Sequence, residues 1–439
     1  MKKVFSSLPF RLILGIIIGG AIGLFCKANV TMTAGLMQVL VCLHRLMGQF
    51  VSFCVPLIVL GFIMPSITKL GDNAGRLLGV SLLLAYVSSV LAATMSMIAG
   101  YSIVPLLEIA KPQDANAIPN AIFQLDIPQV MPVITALFLS VTVGLSVVWT
   151  KSNTWKTLLD EFQNIVLAIV EKCVIPILPF YIGTTFVNLG YDGTLSQFPI
   201  FIIAILIVLV GHFVWMTVLY VVAGLYSGKN PAEVFKHYGP AYITAVGTMS
   251  SAATLSVALK CAKKSKVLRP DLVDFGIPLF ANIHLCGSVL TETFFCMIIS
   301  KLLYGQLPPV STMILFIILL GIFAVGAPGV PGGTVMASLG IVTGVLHFDA
   351  TGTALILAIF ALQDSFGTAC NVTGDGALTL FLTGFAEKHK ISSGESKVLA
   401  TEMPSKDSHS VIKTRNAVIQ RAKRDKVYAK RVGIKTKKK

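Results

Sequence analysis

The stretch Ala361–Leu380 reads ALQDSFGTACNVTGDGALTL and lies inside a long apolar run of the chain. It carries four polar side chains, separated by four, three and four residues: Asp364, Thr368, Asn371 and Asp375. An α-helix turns by roughly 100° per residue, so these spacings place all four on one narrow stripe. Ionisable groups in a membrane helix are costly unless they face a bundle interior or a water-filled cavity, and the stripe therefore predicts a functional site. A polar seam between two helices is the simpler alternative, although two carboxylates exceed what a seam requires.

The composition around this stripe is that of a membrane protein. Of the 439 residues, 55% are hydrophobic and only 13% are charged, and the mean hydropathy is +0.81. Many apolar runs approach or exceed the roughly 20 residues that cross a bilayer. We therefore expect an all-α polytopic membrane protein. The chain has no Walker A glycine-lysine loop, so we expect no ATP-driven pump. We also expect no covalent chemistry, and hence no enzyme.

The first half of the chain predicts a series of full membrane spans, which fall at about 9–26, 36–68, 77–106, 130–150, 157–190 and 195–226. If the N-terminus is cytosolic, the inner loops carry most of the lysines and arginines, including the basic stretch 260–269. The positive-inside rule then places both termini in the cytosol. We expect the protein to reside in the inner (plasma) membrane of a cell.

The second half is interrupted by small residues, glycines and prolines. Residues 242–257 read as a re-entrant hairpin, and a full span at 275–303 is broken within 281–288. The run 312–346 contains Gly326–Gly333, in which two prolines and four glycines exclude a continuous helix, and a last span follows at 354–385. Paired interrupted segments are the best pointer in a sequence to the binding site of a transporter.

The charge and the cysteines exclude other classes of protein. The net charge is +15, but residues 388–439 alone hold 16 Lys and Arg against four Asp and Glu. We read this segment as a disordered, basic cytosolic tail beside the lipid surface, and expect no nucleic-acid partner because aromatic residues are not interleaved with the charges. The eight cysteines are scattered without a metal-binding spacing, which predicts neither disulfides nor a zinc site.

Three motifs resemble one family. Asn371–Asp375 (NVTGD), Gly329–Gly332 (GVPG) and Ser250–Leu255 (SSAATL) are similar to the last helix and the two hairpin tips of the dicarboxylate/amino acid:cation symporters, the family of the glutamate transporters. The chain is identified as a divergent prokaryotic member. The resemblance implies eight transmembrane helices, two re-entrant hairpins, an inverted repeat and a homotrimer. It also implies a transport core at 231–387 that moves as an elevator against a scaffold at 1–230, with the third and sixth helices packed on the core.

The resemblance also implies a substrate. Asp364 matches the aspartate that holds the α-amino group in amino-acid-transporting members, a role that suits a carboxylate. Gly367 stands where members with acidic substrates have an arginine, and glycine offers no donors for a second carboxylate. We therefore expect a small neutral amino acid such as serine, threonine or alanine. Further positions match the pocket or the tip that closes over it: Ser251, Thr368, Asn371, Val330 and Gly332.

The implied ion sites are altered. The family usually breaks its seventh helix at Asn-Met-Asp-Gly-Thr, whereas this chain has His284-Leu-Cys-Gly-Ser288, and a hard cation prefers oxygen ligands to His or Cys. Asn371 and Asp375 match part of another sodium site. Glu292 stands at the protonatable glutamate of the animal glutamate transporters, and burial favours the neutral form of a carboxyl group. We predict proton coupling through Glu292, aided by His284, although either residue could be purely structural.

The expected function is import of a neutral amino acid by a secondary active symporter without a cofactor, coupled to H⁺ or Na⁺. A sodium-coupled symporter of amino acids or dicarboxylates is the main alternative. A passive exchanger or channel, which would show counterflow without accumulation, and a sensor that binds substrate without moving it remain open as different classes.

Overall fold

The computed structural model describes residues 8–70, 76–107, 116–123, 125, 127–327 and 332–391. Within these ranges the regular secondary structure is helical, and no β-strand is present. The first half of the chain forms seven α-helices: α1 (Leu8–Ala28), α2 (Val30–Leu70), α3 (Arg76–Ile103), α4 (Val133–Thr150), α5 (Asn153–Ile169), α6 (Ile175–Asp192) and α7 (Pro199–Ser227). A π-helical turn at Val170–Val174 joins α5 to α6 without a break, so the two form one long rod.

The second half forms shorter helices and one very long one. In chain order these are α8 (Ala232–Phe235), α9 (Gly239–Thr248), α10 (Ser251–Ala262), α11 (Pro270–Ile283), α12 (Cys286–Tyr304), α13 (Val310–Gly326), α14 (Gly333–Gly344) and α15 (Ala350–Lys388). The predicted stripe therefore lies within a single helix of 39 residues, which begins where the side chain of Asp349 accepts a hydrogen bond from the Gly352 amide.

Seven segments of the described chain are long and apolar enough to cross a membrane: Phe10–Ala28, Val30–Pro65, Arg76–Leu106, Asn153–Asp192, Pro199–Ser227, Pro270–Tyr304 and Ala350–Lys388. This confirms an all-helical, multi-pass membrane protein. The span predicted at 130–150 forms α4, whose segment Phe138–Thr150 is a shorter apolar helix. The eight transmembrane helices that the family resemblance implies therefore stay a prediction.

The helix breaks fall where glycine, proline and small polar residues predicted them. Between α11 and α12 the backbone of His284 is extended, at φ −111° and ψ 104°. Between α9 and α10, Met249 is left-handed at φ 50°, and Ser250 then caps α10 by accepting a hydrogen bond from the Ala253 amide at 3.2 Å. Helix α13 ends at Gly326 and α14 begins at Gly333, while residues 328–331, at the centre of the predicted bend, lie outside the described ranges.

Helices α12 and α15 form the centre of the protein. The segment that comprises α11 and α12 is buried throughout its most apolar window, and α3 and α7 pack against α12. Helix α7 in contrast exposes apolar side chains on its outer face, which suits contact with lipid tails: Ile202, Leu206, Val210, Val214 and Val221. The polar stripe of α15 is therefore held inside the bundle.

Candidate functional site

All four stripe residues of α15 are buried, with exposed fractions between 0% and 4%. A buried carboxylate without polar partners would be strongly unfavourable in this environment, so the neighbours of each side chain indicate its role. These neighbours come from three places: the start of α14, the start of α12, and the break between α11 and α12. The stripe thus faces the interrupted segments, and not the lipid.

Asp364 contacts the start of the α14 segment. Its Oδ2 accepts a hydrogen bond from the Gly332 amide at 2.7 Å, and its Oδ1 accepts one from the Thr368 hydroxyl at 3.4 Å. Gly332 has φ +71°, a left-handed conformation that glycine adopts without strain. Both partners are neutral donors, and no salt bridge reaches Asp364 within the described residues. Val330, which the sequence assigned to the same tip, lies outside those residues.

Asn371 caps the first turn of α12 from the neighbouring helix. Its Oδ1 accepts hydrogen bonds from the amides of Gly287, at 2.7 Å, and Ser288, at 3.3 Å, and its Nδ2 donates to the Ser288 hydroxyl at 2.9 Å. The first amides of a helix have no partner within it, so this side chain does the work of an N-cap. The Asn371 oxygen is thereby occupied by backbone donors in this conformation.

Asp375 pairs with the histidine at the break. His284 Nδ1 lies 3.0 Å from Asp375 Oδ1, and His284 Nε2 lies 2.9 Å from the hydroxyl of Ser88 on α3. All three residues are at least 95% buried. Asp375 Oδ2 has no hydrogen-bond partner among the described atoms. The imidazole therefore occupies one side of the carboxylate that the family resemblance gave to sodium.

Helices α12 and α15 approach closely at two glycines. A Cβ atom on Gly287 would lie 2.5 Å from the Gly367 carbonyl oxygen and 2.5 Å from the Cβ of Cys370. A Cβ on Gly367 would lie 3.4 Å from the backbone of Ser288. The position where an arginine would serve acidic substrates is therefore packed against the N-terminal turn of α12.

Glu292 lies one turn further along α12 and is fully buried. Its Oε1 is within hydrogen-bond distance of the Ser338 hydroxyl on α14, and its Oε2 has no partner among the described atoms. The described residues provide no salt bridge to this carboxyl group. Ser338 did not stand out in the sequence, because a single serine in an apolar helix carries no periodic signal.

One more polar residue, His212, lies at the centre, and another, Ser251, lies apart from it. His212 of α7 has its Nε2 3.0 Å from the Gly287 carbonyl oxygen and 2.9 Å from the Thr291 hydroxyl. Ser251 is buried at the first position of α10, but no hydrogen bond joins it to the stripe in the described structure. Ser88 and His212 reach the site from distant helices, a relation that spacing within one helix cannot reveal.

The described part of the chain contains no group of three or more His, Cys, Asp and Glu residues that could hold a metal ion. The eight cysteines are free thiols. The arrangement is therefore one of isolated buried carboxyl groups, each held by a different kind of partner.

Comparison with known proteins gives relatives that are transporters by name. "Neutral amino acid transporter B(0)" of Macaca fascicularis is 28% identical over 203 residues, which is 46% of this chain but only 37% of that transporter. "Serine/threonine transporter SstT" of Acinetobacter baumannii (strain AYE) is 28% identical over 348 residues, which cover 74% of this chain and 85% of that protein. The "Putative sodium-dependent excitatory amino acid transporter glt-4" of Caenorhabditis elegans is 30% identical over 164 residues, or 36% of this chain and 32% of that protein.

The mammalian and nematode relatives are thus matched over about a third of their length, and the bacterial one over most of it. A model of the sodium:dicarboxylate symporter family matches residues 8–385, which include every helix from α1 to the last turn of α15. These residues contain the stripe, the three breaks and Glu292. The chain belongs to the sodium:dicarboxylate symporter family.

Proposed function

We propose that this protein imports a small neutral amino acid of the serine, threonine or alanine kind as a secondary active symporter. The observation that carries the proposal is Asp364, a buried carboxylate whose partners in the described structure are a backbone amide and a hydroxyl. An amino acid offers it an ammonium group, and such charge-assisted hydrogen bonds are roughly twice as strong as neutral ones. Two relatives named as neutral amino acid and serine/threonine transporters support the same substrate class.

The packing around Gly367 argues against an acidic substrate. A second carboxylate would need a fork of donors such as a guanidinium group, and position 367 offers only backbone beside Ser288. An unpaired carboxylate in a buried site costs several kcal/mol. In this proposal Asp364, Gly367 and Thr368 form the amino-acid pocket. Ser251, Val330, Gly332 and Asn371 complete it in the conformation that binds substrate.

Protons are the proposed coupling ion, and Glu292 is the proposed carrier. His284 places an imidazole nitrogen 3.0 Å from Asp375, whereas a hard cation prefers oxygen ligands on all sides. Glu292 is buried, and no cationic partner reaches it among the described residues, which favours a carboxyl group that exchanges a proton. His284 is proposed to assist through its contact with Asp375.

Sodium coupling is the second candidate. The unpaired Oδ2 of Asp375 favours it, because a buried carboxylate oxygen without a hydrogen-bond donor is available to a cation. The amide oxygen of Asn371 would then have to leave the α12 amides to become a second ligand. The description of the family as sodium:dicarboxylate symporters supports this reading.

The architecture proposed for transport follows the family. The pairs α9–α10 and α13–α14 are the proposed re-entrant hairpins, and eight helices cross the membrane, with both termini in the cytosol of the inner (plasma) membrane. The transport core at 231–387, with α3 and α7 packed on it, moves as an elevator against the rest of 1–230. The protein is proposed to work as a homotrimer in the lipid bilayer.

Uptake into proteoliposomes tests the proposal. Purified protein is reconstituted, and accumulation of labelled serine, alanine and threonine is measured under a proton gradient or a sodium gradient, each imposed alone. We expect accumulation under the proton gradient and its loss in Glu292→Gln, which removes the exchangeable proton but keeps the shape of the side chain. Glu161→Gln, on the exposed face of α5, is the matched control and keeps the activity of the parent protein.

Each other result has a definite meaning. Accumulation that needs sodium and persists in Glu292→Gln would establish the second candidate. Counterflow without accumulation under either gradient would identify a passive exchanger. Substrate binding without any transport would identify a sensor.

A further inference from the structure

The hydroxyl group of Ser338 faces two oxygen atoms at once. Its Oγ is within hydrogen-bond distance of Glu292 Oε1 on α12, and it lies 3.1 Å from the carbonyl oxygen of Val335 in its own helix. Ser338 and Glu292 are both fully buried. A serine hydroxyl carries one proton, and a carbonyl oxygen can only accept.

These contacts discriminate between the two forms of Glu292. If Glu292 is ionised, both neighbours of the Ser338 hydroxyl are acceptors, and its single proton can serve only one of them. If Glu292 is protonated, its O–H donates to Ser338 Oγ and the Ser338 O–H donates to the Val335 carbonyl. Only the protonated form satisfies both contacts, and a chain of hydrogen bonds in one direction also strengthens its members.

The Cys296 thiol lies one turn beyond Glu292 on α12, and several titratable side chains on the neighbouring helices contact other groups. Asp364 of α15 accepts from the Gly332 amide. His212 of α7 faces Thr291, and Asp375 of α15 pairs with His284. The tyrosines of α3 donate to carbonyl oxygens, Tyr86 to Ile318 of α13 and Tyr101 to Pro308, two residues before α13. Helices α13 and α14 contain no titratable residue. Among the described atoms, Ser338 is the hydrogen-bond contact between Glu292 and α14.

We infer that Ser338 is a positioning residue that transmits the protonation state of Glu292 to helix α14. The inference rests on the proposed role of Glu292 as the proton carrier. With Glu292 protonated, the Ser338 hydroxyl stays bonded to Val335. When Glu292 loses its proton, the hydroxyl turns to the carboxylate and releases the Val335 carbonyl. A serine bond to the preceding turn bends a helix, so this change alters the geometry of α14.

Infrared difference spectroscopy of the reconstituted full chain tests the inference without relying on transport. The C=O stretch of a protonated carboxyl group is assigned to Glu292 by its loss in Glu292→Gln. We expect this band in the parent protein near neutral pH, and we expect Ser338→Ala to move it to higher wavenumber because the carboxyl O–H loses its acceptor. Thr343→Val is the matched control, since the hydrogen bonds of the Thr343 hydroxyl in the described structure go to carbonyls of its own helix, and the band should stay in place.

A second measurement separates positioning from mere packing. Proton-driven accumulation should fall in Ser338→Ala toward the level of Glu292→Gln, and Ser338→Thr, which keeps the hydroxyl, should restore both the band position and accumulation. A Glu292 band that does not respond to Ser338→Ala would overturn the inference, even if uptake proves proton-driven. If uptake fails but the band responds, the hydrogen-bonded chain stands and the proposed transport function does not.

Discussion

At the scale of single residues, three buried carboxyl groups in one protein have three different kinds of partner. Asp364 accepts from the Gly332 amide, Asp375 pairs with an imidazole, and Glu292 contacts a hydroxyl. A low dielectric strengthens each of these contacts. The chemistry of the partner therefore indicates what each carboxyl group can bind. In the function proposed above, Asp364 is the carboxyl group that receives the ammonium group of the substrate.

The substitution Asp364→Asn tests that role. Asparagine keeps an oxygen that can accept from the Gly332 amide but loses the negative charge that an ammonium group requires. We expect the fold to persist and the affinity for L-serine to fall roughly tenfold to a hundredfold, the value of a hydrogen bond between charged groups. Isothermal titration calorimetry on the purified protein measures this change.

Asp274→Asn serves as the control for that experiment. Asp274 is a half-exposed carboxylate on α11 that pairs with Lys263 at 2.7 Å, away from the stripe, and an exposed pair of this kind contributes little. The affinity of the Asp274→Asn protein for L-serine should equal that of the parent protein. Equal affinity in Asp364→Asn would remove Asp364 from the pocket.

At the scale of helices, the pair α1 and α6 shows how glycine sets the distance between two elements. A Cβ on Gly19 would lie 2.1 Å from the carbonyl oxygen of Gly183, and one on Gly23 would lie 2.3 Å from that of Val187. Such contact between backbones is typical of helices that associate in lipid, where close packing replaces the hydrophobic effect.

Gly19→Ala should therefore separate α1 from α6. A Cβ at 2.1 Å from a backbone oxygen cannot be accommodated without moving a helix, and overpacking of this kind costs roughly 1–3 kcal/mol. The thermal unfolding temperature in detergent should fall. Gly35→Ala, in α2, is the control, because its Cβ meets no atom within 4 Å, and it should be neutral or slightly stabilising. An equal effect of the two substitutions would refute the close packing.

The sequence predicted the helices better than their contacts. Local chemistry marks the ends of elements, so the prolines and glycines at 326–333 and the polar run at 281–288 were enough to locate two breaks. The pairing of His284 with Asp375 joins residues 91 positions apart, and the contact of His284 with Ser88 joins residues 196 apart. One helical period cannot encode such pairs, and the same limit hid the capping of α12 by Asn371 and the partner of Glu292.

At the scale of the whole molecule, the C-terminal end of α15 contacts residues in or next to two other helices, α7 and α11. Lys388 donates to the Tyr226 carbonyl oxygen at 2.6 Å and lies 4.0 Å from the centre of the Tyr226 ring, and Lys229 pairs with Glu387 at 3.1 Å. Arg269, just before α11, donates to the Ile391 carbonyl oxygen at 3.1 Å. We call this set of contacts the terminal clamp.

Deletion of residues 392–439 should leave uptake intact, because every contact of the terminal clamp lies at or before Ile391. A deletion that starts at Glu387 also removes Glu387 and Lys388, and it should lower the thermal unfolding temperature. Uptake by proteoliposomes and thermal unfolding in detergent are measured on both truncated proteins. Loss of transport in the shorter deletion would assign the basic tail a part in function and would favour the sensor class.

The cap that Asn371 places on α12 has a consequence for how the protein opens. The start of a helix normally frays, because its first amides bond only to water or to a nearby side chain. Here the amides of Gly287 and Ser288 are held by a residue in the middle of α15. Fraying of the first turn of α12 therefore requires the Asn371 side chain to release these amides, which couples the stability of that turn to the middle of α15.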